Sequence, residues 1–359
     1  MRQAEVGAEG AGSPRPGGDG WENRRRSLVD AKDMPNQSKP SISAVVAAYQ
    51  AERFIGETLE SILTQTRPPE EVIVVDDGST DGTARELERF SGAIRVLRRP
   101  NGGCPAAFNT AFQAARGDFV AMCGADDIWE PQKLEWQLEA IQAYPDADVL
   151  FGHAVVFGQI EAEHLRPTGS GLLESSALRN ALFIDNCVCA PSVVIRRSLF
   201  ERLGPFVEDF GADDYEYWFR CLRAGARFYY DPRTVMRWRR HENNLSMRKP
   251  WMDTCSCEVR RWYAADVADR AIVCAGLAPV LHRVARRLVD EGRPGEASRT
   301  YREALGYARG AAPSDSVKAL AWIAVLGLPA RMRERVKDIL VGCRRALDGL
   351  RQSRVPTPS

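Results

Sequence analysis

Two stretches of this chain end an apolar run in paired carboxylates. Val72-Ile-Val-Val-Asp76-Asp77-Gly-Ser-Thr-Asp81 sets four β-formers ahead of two aspartates and a turn-forming sequence. Asp118-Phe-Val-Ala-Met-Cys-Gly-Ala-Asp126-Asp127 repeats the device. An unbroken apolar run marks a parallel strand buried on both faces, and open α/β sheets bind ligands at the carboxyl ends of such strands. Carboxylates gathered there, beside an extended first segment between Ser41 and Tyr49, point to a nucleotide site that uses a metal ion. A third pair, Asp213-Asp214, heads an amphipathic segment carrying Tyr217, Trp218 and Leu222. His241 stands in a loop beside Arg239 and Arg240.

The intervening sequence supplies the elements that hold these residues. Ser43–Ala48 is the first strand, and a helix from about 53 to 65 carries Phe54, Ile55, Leu59, Ile62 and Leu63 on one face. Strands follow at 72–75, 94–97 and 119–122, separated by a helix through Leu87 and Phe90 and another over 105–116. That alternation predicts a parallel sheet with helices on both faces, an α/β fold. Further on, the spacing predicts a helix over 132–144 opened by Pro131 in its first turn. It also predicts strands at 149–157 and 193–195, a short helix over 197–203 and an amphipathic helix over 213–224. Residues 158–185 read as an irregular insert, and 228–230 and 235–239 as two closing strands. From about residue 252 the pattern is helical, and Leu288–Leu305 reads as one helix-turn-helix of tetratricopeptide type.

Bulk properties narrow the class. The chain has 359 residues, enough for one large α/β domain and an appendage, with a net charge of +1 that argues against a nucleic-acid binder. Its nine cysteines lack zinc-type spacing, and no signal peptide is evident, so free thiols in a reducing cytoplasm are expected. No apolar run reaches the roughly 18 residues of a membrane span; Ala319–Ala330 reads instead as a buried helix. Residues 1–40, rich in Gly, Pro and charge, read as a disordered arm.

An ordered set of short motifs now becomes specific: Ala47-Ala-Tyr49, Val74-Val-Asp-Asp-Gly-Ser-Thr-Asp81, Asn101-Gly-Gly103, Gly124-Ala-Asp-Asp127, Asp213-Asp214, and Arg239-Arg-His241 with Asn244 and Ser246. In this order and spacing, over roughly residues 41–247, the chain resembles the inverting glycosyltransferases of family 2. The resemblance implies a GT-A fold, a mainly parallel open sheet flanked by helices over 41–250, with 251–359 as an all-helical extension. It implies a nucleotide-sugar donor, UDP- or dTDP-linked, with Tyr49 stacking on the base and Ala47 offering backbone contacts. Asp77 would accept the imide N–H of uracil or thymine, while Asp76 bonds the turn after it. Asn101 and Gly102 would turn the chain beside the donor. Adjacent residues on an extended chain point opposite ways, so Asp126 is expected at the ribose or sugar and Asp127 at a Mg2+ or Mn2+ ion. His241 would bind metal or diphosphate, with Arg239 beside it. Asp214 would be the general base that inverting transfer requires, and Asp213 the alternative.

The sequence departs from the family at one position. Phe108, ahead of Asn109, stands where a basic residue usually contacts the diphosphate or base; Arg98, Arg99 or the Arg239 cluster are candidates to replace it. Two rival readings follow. A nucleotidyltransferase would need a Gly-rich basic loop after the first strand, which Ala47–Arg53 lacks. A non-catalytic nucleotide-sugar-binding or scaffold protein would keep the fold without transfer. The acceptor stays open among a glycan, a lipid-linked glycan, a protein and a small molecule. Residues 331–354 hold eight basic and three acidic residues along an apolar stripe. That stripe suits either a last docking helix or peripheral contact with the inner face of a membrane.

Overall fold

The structure is a computed structural model that describes residues 40–159, 162–163, 167, 169–208, 211–247 and 249–308. The N-terminal arm, the segment 319–330 and the basic stripe 331–354 lie outside the described residues.

Strand β1 (Ile42–Ala48) is the centre of the site-bearing half. It pairs in parallel with β2 (Glu71–Asp76) on one side and β4 (Phe119–Gly124) on the other, with β3 (Arg95–Arg98) beyond β2. Side chains alternate across a strand. Ala44, Val46 and Ala48 therefore enter one core with Ile55, Leu59 and Ile62 of α1 (Ile55–Leu63). Val45, Ile73 and Val75 enter the other, with Ala107, Ala111 and Phe112 of α3 (Cys104–Ala114). Helix α2 (Thr83–Glu88) links β2 to β3. The chain runs outward through β2 and β3 and returns to β4 beside β1. This reversal of strand order opens a crevice at the carboxyl ends. Register aligns Ala48 with Asp76 and Ala47 with Gly124, so the three following loops start in one line.

Among the described residues the sheet has ten strands: β3-β2-β1-β4 continue through β9 (Val194–Arg196), β6 (Val149–Gly158), β10 (Phe228–Arg240) and β5 (Ile128–Trp129), with β7 (Ala162–Glu163) on β6 and β8 (Gly171–Leu172) on β10. It is mixed: β9 (Val194–Arg196) runs antiparallel to both β4 and β6 (Val149–Gly158). The insert is more regular than its sequence reads. It holds the short strands β7 (Ala162–Glu163) and β8 (Gly171–Leu172) and helix α5 (Ser175–Ile184), which buries Leu178, Leu182 and Phe183. The two expected closing strands form one strand, β10 (Phe228–Arg240), whose pairing with β6 is broken by a bulge between Asp231 and Met236. Pro232 has no N–H for the ladder and fits at a bulge; the Asp231 carboxylate accepts the Arg233 N–H at 2.9 Å. Strand β5 (Ile128–Trp129) pairs antiparallel with β10, bringing Arg239 toward Asp127. Helix α4 (Lys133–Ala143) starts after Pro131, which sits in the preceding turn rather than in the helix.

Helices α6 (Arg197–Leu203) and α7 (Asp213–Arg223) complete the layer, followed by α8 (Lys249–Tyr263), α9 (Arg270–Asp290) and α10 (Pro294–Ala308). Cys257, Val259, Tyr263, Leu277 and Leu281 of α8 and α9 share a core cluster with Phe183 and Phe219. Arg260, 3% exposed, donates to the carbonyls of Phe183 and Ile184 at 2.8 Å each, satisfying orphan groups at the end of α5. Among the described residues no helix is long and apolar enough to cross a membrane.

Close approach of α9 to α5 makes a test of this packing. A Cβ at Gly276 would lie 2.3 Å from the Phe183 carbonyl oxygen, while one at Gly306 of α10 meets nothing. Removing glycine from a helix gains up to about 1 kcal/mol, and overpacking costs about 1–3 kcal/mol. Gly276→Ala should therefore lower, and Gly306→Ala raise, the stability measured by urea unfolding.

Candidate functional site

The crevice begins with the loops after β1 and β2. Tyr49 is 52% exposed, its ring open to solvent. Gln50, next to it, adopts φ 50°, a left-handed conformation unusual for a non-glycine residue. Its side chain accounts for that. Oε1 accepts the N–H of Thr80 at 2.9 Å and of Asp81 at 3.1 Å, and Nε2 donates to Thr80 Oγ1 at 3.0 Å. Gln50, which sequence reasoning passed over, thus ties the Tyr49 loop to the turn after β2. Asp76, buried, accepts the Ser79 N–H at 2.9 Å.

Asp77 is buried and fully engaged. Its oxygens accept the N–H of Gly102 at 3.1 Å and of Gly103 at 2.7 Å, and Arg99 Nη1 lies 3.2 Å from Oδ1. Asn101 and Gly102 are thereby held beside the end of β2. Gly78 makes room for them: a Cβ there would lie 2.8 Å from the Asn101 nitrogen, and its φ is 79°. Phe108 has turned away from this site. It is buried against Phe206, ring centroids 6.5 Å apart, and Asn109 donates to the Phe206 carbonyl at 2.9 Å. Arg99 is the basic group placed at Asp77.

Asp126 and Asp127 do not diverge as an extended chain would require. Residues 125–126 form a turn, and both carboxylates come over Gly124, where a Cβ would lie 2.8 Å from Asp127 Oδ2 and 3.0 Å from Asp126 Oδ1. Asp127 Oδ1 accepts the Arg239 N–H at 3.0 Å. Burial first, then the charge of Asp126, pushes the Asp127 carboxyl well above the usual carboxylate range. Asp126 Oδ2 accepts from His241 Nε2 and from Asn244 Nδ2, each at 2.9 Å. The Asn243 N–H points at His241 Nδ1 at 3.3 Å, which assigns the imidazole proton to Nε2. As placed, His241 has both ring nitrogens engaged and supports Asp126. Arg239 braces the pair: Nε donates to the Asp126 carbonyl at 2.8 Å, Nη2 meets Glu57 at 2.5 Å, and the guanidinium lies over Phe54 and Phe157. Phe54 also lies 4.8 Å from the His241 ring. Glu57, Phe54 and Asn244 are the supporting residues whose roles the sequence hid, because they come from separate elements.

Hard oxygen donors converging over a glycine fit a divalent ion. Among the described residues no three His, Cys, Asp or Glu side chains gather to hold one. The chain would supply one or two carboxylates, and the rest of the shell would come from a ligand's phosphates and water, as is usual for Mg2+.

Asp213 and Asp214 stand at the start of α7, where the helix dipole favours negative charge. Asp214 accepts the Tyr215 N–H at 2.7 Å and Asn186 Nδ2 at 3.1 Å. Burial nevertheless raises the Asp214 carboxyl above its ordinary range, and burial together with the Asp214 charge raises Asp213 further. Cys104, in the first turn of α3, keeps contact with solvent but is closely surrounded by protein, and it links the pairs electrostatically. Desolvation, then the charges of Asp213, Asp214, Asp126 and Asp77, holds its proton. All three carboxylate groups therefore act on one thiol.

The chain is similar to known proteins. The family model for glycosyl transferase family 2 matches residues 43–204. An uncharacterized glycosyltransferase of Rickettsia typhi is 25% identical over 211 residues, covering 58% of this chain and 66% of the relative. An uncharacterized protein of Mycobacterium bovis is 31% identical over 215 residues, covering 57% of this chain and 60% of the relative. The chain thus spans just under two thirds of the length of these relatives. The crystal structure of S. aureus TarS 1-349 in complex with UDP-GlcNAc superposes with a TM-score of 0.62 at 18% identity. It covers 80% of this chain and 90% of TarS 1-349, a likeness of fold.

The lock at Gln50 makes a local test. Gln50→Ala removes three side-chain hydrogen bonds, each with a net contribution of about 1 kcal/mol. Amide exchange at Thr80 and Asp81 should accelerate at least tenfold while exchange within β1 stays slow.

Proposed function

Residues 43–204 place the chain in glycosyl transferase family 2, and from that premise we propose that it moves a sugar from a UDP- or dTDP-linked donor to an acceptor hydroxyl with inversion. The observation that carries this reading is that Asp77 and the Asp126-Asp127 pair follow the carboxyl ends of the parallel strands β2 and β4, on either side of β1 and the exposed ring of Tyr49.

The nucleoside base stacks on Tyr49, whose ring is open to it, with the backbone at Ala47 beneath. Its imide N–H reaches Asp77 when Arg99 leaves Oδ1. Arg99 then faces the diphosphate and supplies the contact that Phe108 does not. Asp126 and Asp127 would hold a Mg2+ or Mn2+ ion, which would supply positive charge to stabilise a departing diphosphate. Asp126 faces the ribose side, and Asp127 is the more buried of the two ligands. His241 and Asn244 fix Asp126, and Arg239 fixes both by its backbone N–H and its Nε. Asp214 accepts the acceptor's hydroxyl proton as that oxygen bonds to the anomeric carbon from the face opposite the departing diphosphate. The bond from carbon to phosphate oxygen breaks in the same displacement. Asn186 orients Asp214 for this task.

Thermal unfolding with UDP, dTDP, GDP and ADP, with and without manganese, tests the donor half. A ligand bound only to the folded state raises the melting temperature by mass action. UDP or dTDP should do so only with manganese, and Asp127→Ala should abolish the shift; stabilisation by purine nucleotides alone would refute the base assignment. Arg99→Ala should weaken UDP binding about tenfold or more, the loss of one charge-assisted hydrogen bond. Asp214→Asn should retain the UDP shift and lose about 100- to 10,000-fold in transfer.

The pH dependence follows from the direction of the Asp214 shift. The base acts only when ionised, and burial raises its proton affinity. Transfer should fall as pH drops through a midpoint above the ordinary value of 3.8, read from the acid limb of initial rates.

A further inference from the structure

An exposed aromatic ring lies on Gly211, just ahead of the third carboxylate pair. Trp251, in the first turn of α8, is 40% exposed, whereas Trp129 and Trp218 are buried. The benzo edge of its indole lies on Gly211: a Cβ there would meet Cη2, Cζ3 and Cζ2 at 2.3, 2.4 and 2.6 Å. One turn along α8, Cys255 takes the Gly211 backbone as its hydrogen-bond partner and feels the charge of Asp213. Trp251 and Cys255 thus bracket Gly211, two residues before Asp213 and three before Asp214. The ring is held by backbone contact, and the remainder of it faces solvent.

We propose that Trp251 is the platform of an acceptor subsite for a neutral saccharide. A pyranose has an apolar C–H face and a rim of hydroxyls. An aromatic ring buries the face at little entropic cost, and neighbouring carboxylates accept the hydroxyls. Trp251 and the Asp213-Asp214 pair offer this combination in one short segment. Charge selects among acceptors: the ionised Asp214, bonded among the described residues only to the Tyr215 N–H and to Asn186, repels a phosphate- or uronate-bearing rim and favours an uncharged one. A bare alkyl chain would use the ring but leave the carboxylates unsolvated. This subsite deepens the transferase reading and rests on it for the role of Asp214.

Saturation-transfer NMR without nucleotide tests the subsite. The probes are the methyl glycosides of glucose, galactose, mannose and N-acetylglucosamine, with methyl glucuronoside as the anionic counterpart. At least one neutral glycoside should show saturation of its ring C–H protons, and the glucuronoside should show little. Trp251→Ala should reduce that signal at least tenfold, and Trp251→Phe should retain part of it. Trp262→Ala, at a more exposed tryptophan about 16 Å along the same helix, should leave it unchanged. Gly211→Ala keeps the indole but displaces it, so it should weaken the signal without removing an aromatic group. Equal signals from wild type and a folded Trp251→Ala, or no signal from any neutral glycoside, overturns the proposal. Glycoside binding that depends on Trp251, with no stabilisation by any nucleotide, would leave the subsite standing and sink the transferase reading.

Discussion

Carboxylates crowded together repel one another, and much of the surrounding structure answers that repulsion. Asp77 is covered by two backbone N–H groups and Arg99. Asp126 draws on His241 and Asn244, and Asp127 on the Arg239 N–H. Asp213 and Asp214 sit where a helix presents unpaired N–H groups, with Asn186 beside them. Each device is partial: the Asp127 and Asp213 carboxyls still hold their protons more tightly than exposed ones would. A site so arranged is relaxed when positive charge enters it. It fits a cation arriving with a diphosphate better than a structural ion-pair network, which would carry its own counter-charges.

The parallel core and its carboxylates were legible because strand burial and helix periodicity are written locally. Four apolar residues ahead of Asp76 and Asp77 fix both the strand and the end from which the acids project. The orientation of Asp126 against Asp127 was not legible, since it depends on a turn at 125–126 rather than on strand alternation. The bond partners of the site were hidden for a related reason. Glu57 meets Arg239 across 182 positions and Asn186 meets Asp214 across 28, contacts that only the sheet order creates. Phe108 read as a missing cation at the donor, but its ring is part of the core with Phe206. Helix α5 was missed within the insert because its buried face is short, Leu178, Leu182 and Phe183, and is completed by α8 and α9.

That completion bears on the helical segment after residue 250. Its first helices are not a separate body resting on the sheet: they finish a hydrophobic cluster that begins in α3, α5 and α7. Arg260 spends a buried guanidinium on the carbonyl end of α5, a placement that only makes sense if both helices are present together. The same helix α8 reaches back to Gly211, so packing and the approach to Asp213 are set by one element.

Strand β10 carries a consequence of its own. Before the bulge, residues pair with β6 at an offset of 79, Asp231 with Gly152; after it the offset is 82, Met236 with Ala154. An odd number of extra residues inverts the phase of the pleat. Phe228 and Tyr230 before the bulge therefore enter one core cluster, whereas Met236 and Trp238, of the same parity but beyond it, pack with the other. The loop of three residues acts as a frame shift written into a sheet. Chain length at 231–235 is then a functional variable: a single-residue deletion there would keep a β-strand but exchange which side chains face Asp126 and Asp127.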